Sequence, residues 1–442
     1  MLFDSSTFDR RIAFVFLAAA LAAPSHAADV YGASPTAQTV GLGGIYLGST
    51  GPTDALASNP SLLTSIGRPY FEISGMGVLA GGQYRNSTPY IGSLESNAGL
   101  AGSAGFGMHI PHSRLSIGLG VFPVSLLTDR WKFQDPPGTA GASYGIQSSK
   151  SAFLAIQSSF GFGLQVSRWL SLGAAFGAVD NLNTLETPYI FQTNPTLAGL
   201  KTLLNLHTNG IGYNGTFGLT AQPVRQLEIG ITYKTQTTVR STGTATGNAY
   251  AQFAALGLHN ASGFAYNAEV DNVFPQSASV SVAWQARPRV RTYLQGDWLN
   301  WHSAFVQLPV HLTNGNNALL NSLLNSTSLD DSVPLHWRNQ LTIRTGVEVS
   351  MGESFKIQGA YSHGNSPVTS ATLTPLTAAI MSDALSGGIA FEKSRYRLQL
   401  AYQTNLPASA NVAASSLLAG EYSNTRTSLW LQTIALTTGI RF

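Results

Sequence analysis

From Pro69 to the C-terminus, apolar and polar side chains alternate over stretches of about ten residues, separated by short polar turns or longer connections. Between Arg395 and Asn405, Tyr396, Leu398, Leu400 and Tyr402 fall on one side, and Arg395, Arg397, Gln399 and Gln403 on the other. Leu227, Ile229, Ile231 and Tyr233 oppose Glu228, Thr232 and Lys234 in the same way; Leu341, Ile343, Val347 and Val349 oppose Gln340, Arg344 and Glu348. A period of two is the strand period. Sustained over the whole chain, it predicts strands with one face in lipid and the other toward a lumen.

Six tight turns are expected, at 111–114, 167–168, 223–225, 287–289, 352–354 and 393–395. Seven longer connections alternate with them, near 83–98, 125–150, 181–208, 241–272, 302–335, 364–381 and 406–426. Thirteen connections imply fourteen strands. An even count, with both termini on the short-turn side, is the rule for bacterial barrels and puts the long loops outside the cell. The last strand carries Trp430, Gln432, Ile434, Leu436, Thr438, Ile440 and Phe442 on one face, closing on an aromatic. The expected fold is all-β: a 14-stranded antiparallel transmembrane barrel. A soluble sandwich would not carry seven long loops on a two-faced pattern of this length.

Composition narrows the picture. Charged residues make up 10% of the 442, against roughly 25% in ordinary soluble proteins, and there are 45 glycines. No apolar run is long enough for a transmembrane helix. Cysteine is absent and the net charge is only +3, with the basic residues scattered, so nucleic acid is not an expected partner. Arg10-Arg11, the apolar run Ile12–Ala23 and Ser25-His26-Ala27 read as a secretory signal over 1–27, cut before Ala28.

The segment 28–68 differs from everything after it. No Lys or Arg lies between Arg11 and Arg68, and Gly, Ser, Thr and Ala dominate. Too little apolar mass is present for a core of its own, so it must fold inside something else. Gly41-Leu42-Gly43-Gly44, the run of small residues, Asp54-Ala55 and Asn59-Pro60 resemble the N-terminal hatch of the FadL/TodX type of outer-membrane transporter. That family's pattern usually ends Asn-Pro-Ala, where this chain has Asn-Pro-Ser. Gly-x-Gly-Val-Phe-Pro at 118–123, the run Phe274-Pro275, Asp297-Trp298, Trp301, Phe305 and Leu308, and Gly364-Asn365-Ser366-Pro367-Val368 also resemble the family. The resemblance implies a barrel over 69–442, plugged by the 28–68 hatch, with short helices in the extracellular loops. Gly41, Gly43, Gly44, Asn59 and Pro60 are the expected hatch residues.

Three groups of candidate site residues follow. On the third strand, Gly118 and Gly120 face inward and Pro123 ends the run, which permits an inward bend and a gap beside the neighbouring strand. The resemblance makes that gap a lateral opening into the membrane. In the loops, Leu197, Leu200, Leu203 and Leu204, with His207, fall at near-helical spacing, as do Leu319, Leu320, Leu323 and Leu324. Exposed apolar loops call for a ligand or mutual packing, and the resemblance implies a capture site there. Fatty-acid members of the family hold the carboxylate with interior basic residues. Here those positions fall near Leu182 and Pro309, so the possible lumen anchors are Arg291 and Arg344. An inner site without basic groups would prefer uncharged ligands.

No catalytic constellation is present: the nine histidines are scattered, without metal-ligand spacing. Neither catalytic residues nor a metal nor a cofactor is expected. The expected function is passive uptake of hydrophobic molecules, long-chain fatty acids or aromatic or aliphatic hydrocarbons, through the bacterial outer membrane with lateral release. The expected partners are the ligand, outer-membrane lipid and lipopolysaccharide, and the barrel-assembly machinery; a monomer is expected. A surface receptor or adhesin, and a general porin, are the alternatives.

Overall fold

The computed structural model describes residues 35–96 and 98–442. The signal segment 1–27 and the first part of the hatch, 28–34, lie outside the described residues. Fourteen antiparallel strands close into a barrel. They are β1 (Tyr70–Arg85), β2 (Ala98–His109), β3 (Leu115–Gln134), β4 (Ile146–Gln165) and β5 (Leu170–Ile190). Then come β6 (Lys201–Val224) and two broken strands, β7 (Leu227–Lys234 with Thr237–Asn248) and β8 (Gly263–Phe274 with Ser277–Arg287). The wall is completed by β9 (Val290–Leu299), β10 (Gln340–Met351), β11 (Phe355–Gly364), β12 (Asp383–Lys393), β13 (Tyr396–Val412) and β14 (Thr425–Arg441). Closure is a sixteen-residue ladder between β1 and β14, from Tyr70↔Arg441 to Arg85↔Arg426.

The expected alternation is the wall's own geometry. Leu341, Ile343, Leu398, Leu400, Ile434 and Leu436 stand outward and exposed, while Arg344, Glu348, Arg397, Gln399, Thr433 and Thr437 point inward and are buried. An outward apolar band above a polar interior is what lipid on one side demands.

Three long connections are less than half as long as expected. β3 and β4 run on to Gln134 and back from Ile146, β5 and β6 to Ile190 and from Lys201, and β7 and β8 to Asn248 and from Gly263. In these extensions the outward side chains include polar ones such as Asn205, His207 and Arg240, while Leu206, Val239 and Val270 are buried, so the outward apolar, inward polar signal is lost where the strand continues. Leu203 and Leu204 therefore sit on β6, not on a helix. Pro123, likewise, does not end its strand: β3 passes through it with a bulge, pairing Pro123↔Ile156 and then Ser125↔Ala155.

Residues 35–68 fill the lumen. Short helices α1 (Ala37–Gly41) and α2 (Pro52–Ala57) and a 3-10 turn at Pro60–Ser65 are joined by tight bends. Thr36 and Thr39 form a capping box at the start of α1, and Asn59 accepts from the Ser61 N–H to start the last turn. Asp54 ties the segment to itself, accepting from Thr36 (2.7 Å), Ser49 (2.7 Å) and Thr39 (3.1 Å). Leu42, Ile45, Leu56 and Leu63 are fully buried against it and the wall. The hatch thus borrows its core from the barrel.

Candidate functional site

Polar bonds from the wall hold the hatch in place. Arg344 on β10 reaches the Gly43 carbonyl at 2.5 Å, and Gln295 on β9 bonds both sides of the same turn, accepting from Tyr46 N–H and donating to Gly44 O. Arg397 donates to Gln38 and Thr50. Asn59 donates to Leu219 O and Ser61 pairs with Thr220 on β6. Gly43 and Gly44 have φ of +61° and +94°, and a Cβ at Gly44 would lie 2.6 Å from the Arg344 guanidinium. Both the turn and the close approach therefore require glycine.

The third strand is where the wall is incomplete. The β2–β3 ladder stops at Ala104↔Val121. Higher up, β3 is paired on that side by the short strand Gly92–Leu94, at Ser93↔Lys132 and Leu94↔Trp131, and by the Glu95 N–H donating to the Arg130 carbonyl. Between them Ala98–Ser103 pairs with β1 alone, and β3 from Phe122 to Asp129 has no ladder partner on the β2 side. Gly118 and Gly120 lie just below this gap. A Cβ on Gly118 would lie 2.8 Å from Leu63, and one on Gly120 3.0 Å from Leu56. The glycines make room for the hatch, and the gap opens above them. Outside, Phe71, Phe106, Leu119, Phe160 and Phe176 line an apolar depression against its lower edge.

Two cavities meet the unpaired stretch from inside. The lower one, about 100 Å³, lies between hatch and wall and touches Phe122, Pro123, Val124, Tyr46, Lys234, Asp297 and Arg344. The upper one, about 200 Å³, is predominantly apolar. Its walls include Phe153, Leu185, Tyr189, Leu206, Val270, Phe305, Leu308, Leu335, Trp337, Leu376 and Tyr422. An apolar cavity of about 150 Å³ suffices for benzene, so a monoaromatic molecule fits in scale. Phe305 and Trp337 belong to an aromatic cluster with Trp301, at centroid distances of 4.8–4.9 Å, extended by Phe153 at 5.8 Å from Phe305. Among the described residues, no Lys, Arg or His lines this cavity, and its ionisable carboxyls are Asp129 and Glu421.

The loop leucines lie elsewhere. Leu197 and Leu320 are buried, and Leu200, Leu204, Leu319 and Leu324 are packed with them around Phe253, Phe264 and Tyr266 in a cluster capping the long-loop end. Leu203 is half-buried and Leu323 is exposed. Helix α3 (Ala318–Leu324) forms where the spacing at 319–324 predicts it. None of the eight leucines lines the upper cavity. The basic candidates are both committed: Arg344 pairs with Asp297 at 2.5 Å, and Arg291 with Glu228. Phe305 and Leu308 stood in the family-like run; Phe153, Tyr189 and Trp337 carried no sequence signal, because their common cavity joins distant segments.

The cap carries a buried charge cluster. Lys201 Nζ lies 2.7 Å from Asp135, 2.8 Å from Glu421 and 2.7 Å from Pro136 O. One ammonium serves two carboxylates. Burial pushes Glu421 up to about 8, with Lys201 opposing and Asp135 adding to the rise. Because the folded value exceeds the ordinary 4.5, Glu421 favours the packed loop below that ordinary value and loses this contribution as pH climbs through about 8. Hydrogen-exchange protection factors across 413–424, each taken relative to the intrinsic exchange rate at that pH, should accordingly be higher at pH 5 than at pH 9. Glu421→Gln should flatten that difference; a full difference in the Gln variant would assign it to another group.

A closed barrel, a hatch across its lumen and an apolar cavity beside a gap in the wall define a plugged membrane channel for apolar solutes. The family model for outer membrane protein transport protein (OMPP1/FadL/TodX) matches residues 21–410, and the chain belongs to this family of outer-membrane hydrocarbon and fatty-acid transporters. Comparison of the sequence with curated proteins gives no match. Among solved structures, the Pseudomonas putida toluene transporter TodX is similar, with a TM-score of 0.74 at 16% identity, over 94% of this chain and 99% of that one. The Ralstonia pickettii toluene transporter TbuX follows at 0.68 and 18%, covering 93% and 99%. A Pseudomonas aeruginosa FadL homologue gives 0.71 and 14%, covering 96% and 100%. At such identities the likeness establishes the fold.

Proposed function

We propose that this protein carries neutral hydrophobic molecules, aromatic or aliphatic, passively through the outer membrane. The ligand enters at the packed loops, rests in the upper cavity, and leaves sideways through the gap beside β3 into the lipid. The observation that carries this reading is an apolar cavity with no cationic side chain among its described lining residues, next to a stretch of β3 that has a ladder on one side only. A fatty-acid carboxylate in that cavity would lose its hydration and face Asp129 and Glu421 with no positive partner. The two similar structures named as toluene transporters agree with a neutral ligand. In the same reading the lipopolysaccharide layer is a source of ligand, the chain works as a monomer, and the exposed terminal Phe442 serves barrel assembly.

Uptake by cells lacking their own transporter of this type, with and without this protein, tests the proposal. A neutral aromatic hydrocarbon should enter faster with the protein present, and a long-chain fatty acid should not. Fatty-acid uptake alone would overturn the neutral-ligand reading. Large steady currents in a planar bilayer would favour an open porin instead.

A further inference from the structure

Asp129 is the one acidic side chain on the unpaired stretch of β3, and it is 94% buried, being 6% exposed. It lines the upper cavity together with Ser151, which pairs with it across the β3–β4 ladder, and with Phe153 and Asn183. Its carboxyl group makes no hydrogen bond or ion pair with any described residue. The other buried acids are served: Asp54 by three hydroxyls, Asp297 by Arg344 and Gln295, Asp331 by Tyr189 and the N–H groups of Gln192, Thr193 and Asn194, Glu421 by Lys201. A buried polar group without a partner is costly and rare. One that borders a cavity has its missing partner supplied from the cavity.

We propose that Asp129 is a specificity residue that hydrogen-bonds the hydroxyl of a hydrophobic alcohol or phenol held in the upper cavity. This rests on the reading of that cavity as the ligand site. A hydroxyl is the group that suits the position. It donates to a carboxylate and accepts from a carboxylic acid, so the bond forms in either state of Asp129. A ligand carboxylate meets a like charge. An ammonium must shed a full hydration shell among Phe153, Leu185 and Val270, which is far costlier than desolvating a hydroxyl. A pure hydrocarbon fits the cavity but leaves Asp129 unpaired.

The test is equilibrium binding of p-cresol and p-xylene, which differ by a hydroxyl in place of a methyl, to the full chain in nanodiscs, corrected with empty discs. The wild type should bind p-cresol about tenfold more tightly than p-xylene. Asp129→Leu should abolish the preference through loss of cresol affinity, and Asp129→Asn, which keeps a hydrogen-bonding group, should retain most of it. If the Leu variant does not assemble, Asp129→Ala reads the same ratio. Equal binding of the two ligands by the wild type, or a preference that survives in the Leu or Ala variant, would overturn the role of Asp129 alone. Tighter binding of 4-methylbenzylamine than of p-cresol would overturn the hydroxyl assignment in favour of a cation. Binding of neither p-cresol nor p-xylene would instead overturn the cavity as the ligand site.

Discussion

Deletion of Val124 is expected to slow uptake of a neutral aromatic by about tenfold or more, a barrier increase of about 1.4 kcal/mol, while the barrel still assembles. Val124 is the extra residue of the bulge: β3 pairs Pro123↔Ile156 and then Ser125↔Ala155, with nothing opposite Val124. Bulges bend the strand that carries them and interrupt the ladder. Without Val124, Ser125 follows Pro123 directly, the β3–β4 ladder is continuous, and the residues beyond keep both partner and face. A straighter β3 can then approach Ala98–Ser103, whose backbone on that side has no ladder in the wild type. Unpaired edges readily accept a strand, so the gap should zip shut. Heat-modifiable migration on a gel verifies the fold, and initial uptake rates give the answer. A folded variant with wild-type uptake would mean that ligand leaves by another way.

The hatch should be released by Arg344→Met. Arg344 is 4% exposed and bonds Asp297 and the Gly43 carbonyl at 2.5 Å each. Removing it leaves Asp297 buried with only Gln295 as donor, a loss of about 3–5 kcal/mol. The Gly43-Gly44 turn loses its clamp at the same time. The expected result is a lower denaturant midpoint, new protease cleavage within 35–68 and ion conductance that the wild type lacks. Adding Asp297→Leu should restore most of the midpoint, because the stranded carboxylate is gone, yet leave the hatch leaky, because the clamp on Gly43 is still missing. An unchanged midpoint and a sealed channel in the single variant would show that the other hatch bonds suffice.

Much of this architecture was readable in the chain. Strand period, turn positions and strand number followed from Tyr396, Leu398, Leu400 and Tyr402 alternating with Arg397 and Gln399, because a wall between lipid and a filled lumen sorts side chains locally. The hatch was readable from its lack of Lys and Arg and from its glycines, and Gly118 and Gly120 were readable as inward-facing positions of β3. The long-loop end was not. Leu203 and Leu204 suggested a helix and belong to β6, since there Asn205 and His207 face outward and Leu206 is buried, the reverse of the apolar-outward pattern of the wall. The eight loop leucines suggested a capture site, and six of them pack into the cap.

Sequence alone determined the barrel, its strand count, the buried N-terminal segment and the orientation of the wall residues within the membrane band, all of which depend on neighbours one or two positions away or on a simple period. Tertiary structure alone decided where the apolar cavity lies, that Arg344 and Arg291 are already paired, and that Asp129 has no partner among the described residues. Those properties depend on which side chain arrives from another strand: Asp297 reaching Arg344, Glu228 reaching Arg291, and for Asp129 a cavity walled by Phe153, Phe305 and Trp337. No period in a chain records what stands across a lumen.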